Sequence, residues 1–138
     1  MSRDAIAKAR SVLGVPWRHQ GRNPKIGIDC IGLLVIAYNI STEQIPAYAR
    51  DPHNGLLEKA LADHLGPPLP EHTPLQPGDI VAIAYGGNVR HCGLLGDAVQ
   101  TNEITLIHTD TRLGFVTEHP LTEQWRRRIR FSYRKHKK

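Results

Sequence analysis

The sequence is poor in cysteine, in acidic residues and in long apolar runs. Cys30 and Cys92 are the two cysteines among 138 residues, so at most one disulfide is possible and a disulfide scaffold is excluded. No apolar run approaches the roughly 20 residues needed to span a bilayer. The first residues, Met1-Ser2-Arg3-Asp4, hold no basic segment leading into a long apolar core. Neither a secretory signal nor a membrane anchor is expected, and synthesis in the cytoplasm is. Internal repeats, close-spaced cysteine and histidine ligands and an aromatic platform for bases are all missing. These absences argue against a zinc finger and against a nucleic-acid partner.

Acidic residues number 13 against 18 lysines and arginines, a formal net charge of +5. The excess gathers at the end of the chain, in Arg126, Arg127, Arg128, Arg130, Arg134, Lys135, Lys137 and Lys138. Such a cluster can bind nucleic acid, an anionic cell wall or an acidic protein partner, but a solvated strand edge with a frayed terminus is the expected reading. A chain of this length is expected to form one domain that buries about two-thirds of its unfolded surface.

The stretch with the most definite chemistry is Gly27-Ile28-Asp29-Cys30-Ile31-Gly32-Leu33-Leu34-Val35-Ile36-Ala37-Tyr38. It reads as a helix with Asp29 as its cap, accepting from amides two or three residues on. Cys30 then falls in the first turn, where unpaired amides and the positive end of the macrodipole favour a thiolate. From Leu33 onward nearly every residue is apolar, so the helix is expected to be buried on most sides. Gly32 costs about 1 kcal/mol of helix propensity, which points to close approach of another element.

Upstream, Ser2 to Leu13 reads as a helix with Ile6, Ala9 and Leu13 on one face, ended by Gly14 and Pro16. The loop Val15-Pro16-Trp17-Arg18-His19-Gln20-Gly21-Arg22-Asn23-Pro24 brings an aromatic and several polar groups to the start of the cysteine helix. Downstream, a helix is expected from the cap Asp51 and Pro52 to Leu65, stopped by Gly66-Pro67-Pro68. Residues 67–79 form a proline-rich crossing segment. Strands follow at Ile80 to Tyr85, Val89 to Leu95, Ile104 to Thr109, Gly114 to Glu118 and Arg126 to Arg134. In the last, Ile129, Phe131 and Tyr133 alternate with Arg128, Arg130 and Ser132 and are expected to share one buried face. Helices in residues 1–66, strands in 80–134 and a basic tail at 135–138 make an α+β fold with an antiparallel sheet.

If the hairpin between the second and third strands closes symmetrically, His91 sits directly opposite His108, close enough for the two imidazoles to hydrogen-bond. Alternation turns Cys92 to the other face, where it reads as a packed core residue. A thiol at a helix N-terminus, a histidine base and a third polar group orienting that base form a nucleophilic constellation. Cys30, His91 and His108 would also suit an open zinc site, and that alternative stays open at this point.

Several of these segments resemble one family. Gly27-Ile28-Asp29-Cys30-Ile31-Gly32-Leu33 is similar to the nucleophile motif of NlpC-type cell-wall peptidases, the papain-like cysteine peptidases of bacteria and phages. Leu75-Gln76-Pro77-Gly78-Asp79-Ile80-Val81 resembles the family's lead into its sheet. His91-Cys92-Gly93-Leu94-Leu95-Gly96-Asp97 resembles its base-carrying strand, and Leu106-Ile107-His108-Thr109 the strand with the third residue. The resemblance runs from residue 2 to about 130 and implies a half-papain fold, the cysteine helix packed on a C-terminal antiparallel sheet. It implies Cys30 as nucleophile, His91 as base and His108 as orienting residue, acting on amide bonds of peptidoglycan stem peptides with no metal or cofactor.

On the same resemblance, Trp17, His19, Gln20, Asp29 and Ile31 are expected to line the oxyanion and substrate site. Ile31 stands where the family usually has a small hydroxyl residue, and Trp17 where it often has a tyrosine. The approach loop looks like that of members encoded with phage tail and gene-transfer-agent genes, which implies tail-tip proteins as partners and delivery to the cell wall in a virion. Two other readings fit the same residues: a tail structural protein with weakened catalysis, and an acyl transferase using the same cysteine.

Overall fold

A computed structural model describes residues 2–40, 55–98, 101 and 103–135. Helix α1 (Ser2–Arg10) buries Ala5, Ile6 and Ala9 along one stripe. It ends earlier than the periodicity predicts. Ser11 Oγ turns back to the Lys8 carbonyl, and Gly14 takes a left-handed φ of 86°. Val12 therefore faces the core, and Leu13 is left 42% exposed.

The chain next forms a small ribbon that the sequence did not announce. Strand β1 (Arg22–Asn23) pairs antiparallel with β2 (Gly27–Ile28), which runs straight into helix α2 (Cys30–Tyr38). Ile31, Gly32, Leu33, Leu34, Val35 and Ala37 of α2 are buried, so it is enclosed as its composition predicts. It stops at Asn39, whose φ of 54° is the left-handed cap conformation. Helix α3 (Leu56–Leu65) follows, with Leu57, Leu61 and Leu65 buried. The start expected at Asp51 and Pro52 lies outside the described residues.

Five strands make the sheet: β3 (Ile80–Tyr85), β4 (Asn88–Ala98), β5 (Glu103–His108), β6 (Thr117–Pro120) and β7 (Ile129–Tyr133). Their order is β6-β5-β4-β3-β7 and every pair is antiparallel. The fourth strand sits later than expected, because Phe115 makes only an isolated bridge to Pro16. The last is shorter, because Glu123–Arg126 forms a helical turn, α4, capped by Thr122. The helices cover one face, in a core of Ile28, Leu33, Leu34, Ile80, Ala82, Cys92, Leu94 and Tyr133. The other face holds a smaller cluster of Val81, Ile83, Leu95, Leu106 and Leu121, bordered by Leu75, Trp125 and Ile129.

The alternation predicted for β7 is broken. Phe131 pairs with Ala82 but Ile129 pairs with Ile83, so an irregularity at Arg130 moves Ile129 to the face away from the helices. Phe131 stays on the helix side, at the sheet edge, and is 41% exposed. Part of the basic C-terminus is structural. Arg134 grips the buried Asp79 through two hydrogen bonds of 2.7 and 2.8 Å, tying the end of the chain to the start of β3. Lys137 and Lys138 lie outside the described residues.

Candidate active site

Asp29 organises the start of α2. One carboxylate oxygen accepts from the Gly32 amide at 2.8 Å and from Arg22 at 2.9 Å; the other accepts from the Gln20 amide at 2.8 Å. Asp29 thus caps the helix and pins the approach loop against it. Glycines make this approach possible. A Cβ on Gly32 would collide with the Gly21 carbonyl, and one on Gly21 with the Gly27 carbonyl. The close contact predicted from Gly32 is this one. Cys30 follows the cap and remains partly exposed at the first turn.

Across from it, β4 carries His91. The β4–β5 ladder pairs Leu94 with Ile107 and Leu95 with Leu106. Continued, it sets Gly93, not His91, opposite His108. The register expected from a symmetric hairpin is therefore displaced by two residues. A shift of two keeps every side chain on its face, so His91 and His108 meet diagonally instead of directly. Gly93 leaves the room: a Cβ there would lie 3.2 Å from His108 Cβ. His91 Nε2 is 2.8 Å from His108 Nδ1, and both rings are buried.

A profile of the NlpC/P60 family matches residues 14–134. The chain belongs to the NlpC/P60 family. A search of curated proteins gave no significant match. Among solved structures it is similar to an NlpC/P60 family protein from Bacillus cereus, with 21% identity and a TM-score of 0.65 over 97% of this chain and 40% of that one. It is similar to the NlpC/p60 domain of the peptidoglycan hydrolase SagA, with 19% identity and a TM-score of 0.62 over 96% of this chain and 97% of the domain. It is also similar to the peptidoglycan hydrolase RipB from Mycobacterium tuberculosis, with 21% identity and a TM-score of 0.61 over 99% of this chain and 65% of that one. The chain spans less than two-thirds of the length of the Bacillus and Mycobacterium proteins. These likenesses establish a papain-like fold, as the sequence motifs implied.

In this NlpC/P60 chain the pKa of the Cys30 thiol is shifted below its ordinary value. Hydrogen bonding from Cys92 is the largest influence and acts against the cost of burial; His91 adds a hydrogen bond and its charge, and the thiol falls to about 6. The Asp29 carboxylate opposes the shift. Cys92 moves the other way, raised by its contact with Cys30 and by burial, and so remains a protonated donor. Alternation does place Cys92 in the helix-side core, as expected, while His91 sits on the opposite face opposite Ile83. Both nevertheless reach Cys30.

The other expected lining residues divide. Trp17, His19 and Gln20 lie on the approach loop beside Asp29. Trp17 is bridged to Ile28, and His19 Nε2 lies 3.3 Å from the side-chain Nε2 of Gln20. Asp29 and Ile31 do not line an open site. Asp29 is 3% exposed and its carboxylate is spent on the cap and loop; Ile31 points into the helix-side core near α3. A helix of 3.6 residues per turn carries the residue after the nucleophile away from it.

Four residues at the site escaped the sequence reading. Tyr85 stacks on His91 with ring centres 5.5 Å apart, and its hydroxyl donates to Asp110 at 2.8 Å. Trp125 packs edge-on against His108 at 4.8 Å. His119 extends the histidine pair, its Nε2 lying 2.7 Å from His108 Nε2. β6 runs to Pro120, past the strand end expected at Glu118, and so puts His119 on the face of Thr117, the residue paired with His108. Both His108 nitrogens are engaged by neighbouring imidazoles. Among the described residues no group of three or more His, Cys, Asp or Glu is arranged to hold a metal ion.

Proposed function

We propose that this NlpC/P60 chain is a cysteine peptidase that hydrolyses amide bonds in peptidoglycan stem peptides. The observation that carries the reading is a thiol at the start of α2 whose pKa is lowered by Cys92 and by the hydrogen bond and charge of His91, with His91 itself hydrogen-bonded to His108 at 2.8 Å. Similarity to two peptidoglycan hydrolases supports the substrate class. Cys30 acts as nucleophile and His91 as base. The thiolate attacks the stem-peptide carbonyl, and protonated His91 passes its proton to the leaving amine. Water then hydrolyses the thioester, with His91 accepting the proton it releases. The backbone amide of Cys30 lies where a helix N-terminus can stabilise the oxyanion. His108 holds the imidazole of His91 in place.

The proposal extends to a tail-associated wall hydrolase, made in the cytoplasm and carried to the wall in a virion. The Trp17-Arg18-His19-Gln20-Gly21-Arg22 loop, similar to that of phage-tail members, supports this extension.

Purified protein incubated with defined peptidoglycan fragments, followed by mass spectrometry, tests the chemistry. Wild type is expected to release stem-peptide fragments, and Cys30→Ala, folded to the same melting temperature, to release none. Release of the same fragments by Cys30→Ala overturns the mechanism. A thioester that passes preferentially to an added amine would make the protein an acyl transferase instead.

A further inference from the structure

Three imidazoles cross β4, β5 and β6 in a row. His91 Nε2 is 2.8 Å from His108 Nδ1, and His108 Nε2 is 2.7 Å from His119 Nε2. His119 Nδ1 in turn is 2.8 Å from the Pro120 carbonyl oxygen. The row has a direction, because its last member only accepts. A carbonyl oxygen has no proton to give, so the His119 proton sits on Nδ1. Neutral His119 then presents a lone pair at Nε2. His108 must donate its Nε2 proton there, which leaves His108 Nδ1 as an acceptor. His91 must donate from Nε2, which leaves its Nδ1 lone pair as the base available to Cys30.

The same order serves the charged state. When His91 takes the thiol proton it still needs an acceptor at Nε2, and His108 Nδ1 supplies one. His108 itself stays neutral, because burial, then the neighbouring His91 and His119, lower its pKa to about 2. Trp125 lies over the outer two links, 4.8 Å from the His108 ring and 5.6 Å from the His119 ring. No proton travels along the row; each ring fixes the tautomer of the next.

We infer that His119 is a positioning residue: anchored by the Pro120 carbonyl, it sets the tautomers of His108 and His91 and keeps the His91 acceptor turned to Cys30. The inference rests on the Cys30–His91 reading above. Without His119, His108 is free to carry its proton on Nδ1 and to donate to His91 Nε2. His91 would then hold its proton on Nδ1, the nitrogen that must accept from the thiol.

Two measurements test it. Imidazole nitrogen chemical shifts in the wild-type protein report the tautomers directly, with Nε2–H expected for His91 and His108 and Nδ1–H for His119. The pH profile of Cys30 alkylation is then compared in wild type, His119→Ala and His119→Gln. The groups facing His91 and Cys30 are Tyr85 with Asp110, Asp29, Cys92 and His108, with Arg112 and Arg128 over Tyr85, and all are unchanged in these variants. His119→Ala is expected to move the profile to higher pH and to lower kcat about tenfold at unchanged KM, less than the roughly hundredfold or greater cost of losing the base itself. His119→Gln, whose amide oxygen can accept from His108 Nε2–H, is expected to restore most of both. A proton on His108 Nδ1 in the wild type, or an alkylation profile unmoved by His119→Ala, overturns the inference. Alkylation needs no substrate, so an incorrect substrate assignment leaves this test intact. Hydrolysis that persists in Cys30→Ala would instead remove the catalytic reading beneath it.

Discussion

Cys30 is drawn toward the thiolate by Cys92 and His91, adjacent residues on opposite faces of β4. The two influences differ in kind. Cys92 contributes a weak S–H donor fixed in the core, and His91 contributes both a hydrogen bond and a charge. Replacing Cys92 by Ala removes the donor while leaving the histidines in place. Cys30 alkylation in Cys92→Ala is expected to titrate above the wild-type value of about 6, with a stability loss of about 1 kcal/mol for the small cavity. An unchanged titration would reduce Cys92 to packing alone. In the wild type, alkylation is expected to rise with pH through about 6, well below the ordinary thiol near 8.5. The sequence placed Cys30, His91 and His108 in one site. It separated Cys92 from that site, because strand alternation says which face a residue takes and not how near a helix end comes to it.

The N-terminal end of α2, Asp29 and the approach loop act as one element. Asp29 holds the Gly32 amide, the Gln20 amide and Arg22 together, and Gly21 and Gly32 let the loop backbone lie against the helix. A helix with Ala at Gly32 would gain about 1 kcal/mol of propensity. Here the new Cβ meets a backbone carbonyl that cannot rotate away, an overpacking cost of about 1–3 kcal/mol. Gly32→Ala is therefore expected to lower the melting temperature and to slow Cys30 alkylation together. A higher melting temperature would mean the loop is not held there. The cap and the glycine were legible because both are local signals. The β1–β2 ribbon was not, since strands of two residues each carry no periodicity.

Across the whole molecule, long-range ion pairs fasten α1 and the C-terminal segment to the sheet. Arg10 at the end of α1 reaches Glu118 of β6 at 2.7 Å and the Asp97 carbonyl of β4 at 2.5 Å. Burial raises the Glu118 carboxyl, but hydrogen bonds from Arg10 and Thr105 outweigh it and hold its pKa below the ordinary 4.5. The stabilisation is thus present above that ordinary value and is lost as pH falls through the lower folded one. Glu118→Gln is expected to cost about 1 kcal/mol at neutral pH. Its difference from wild type in denaturant midpoints should narrow below pH 4.5; a difference constant down to pH 3 would contradict this. Asp79, paired with Arg134, is more deeply buried. Asp79→Ala is expected to cost about 3 kcal/mol, because it leaves Arg134 and the Gln76 amide without their acceptor. Asp79→Ala with Arg134→Met should recover part of that loss in the same unfolding measurement. A basic tail read from composition could not separate Arg134, which serves the fold, from its exposed neighbours.

Helix caps, breakers and alternation act between residues close in the chain, and these specified the α+β order, the Asp29 cap and the Cys30 thiol; the shared face of His91 and His108 needed an assumed hairpin closure as well. Register is different. Displacing β5 by two residues against β4 leaves every buried and exposed position unchanged, so no hydrophobic pattern distinguishes the two pairings. Packing distinguishes them: Gly93 has no side chain, and the space it leaves lets two imidazoles meet on the diagonal. The same holds for Phe131, stranded at an edge that only the placement of the helices leaves uncovered, and for His119, which enters the site only once three strands lie side by side.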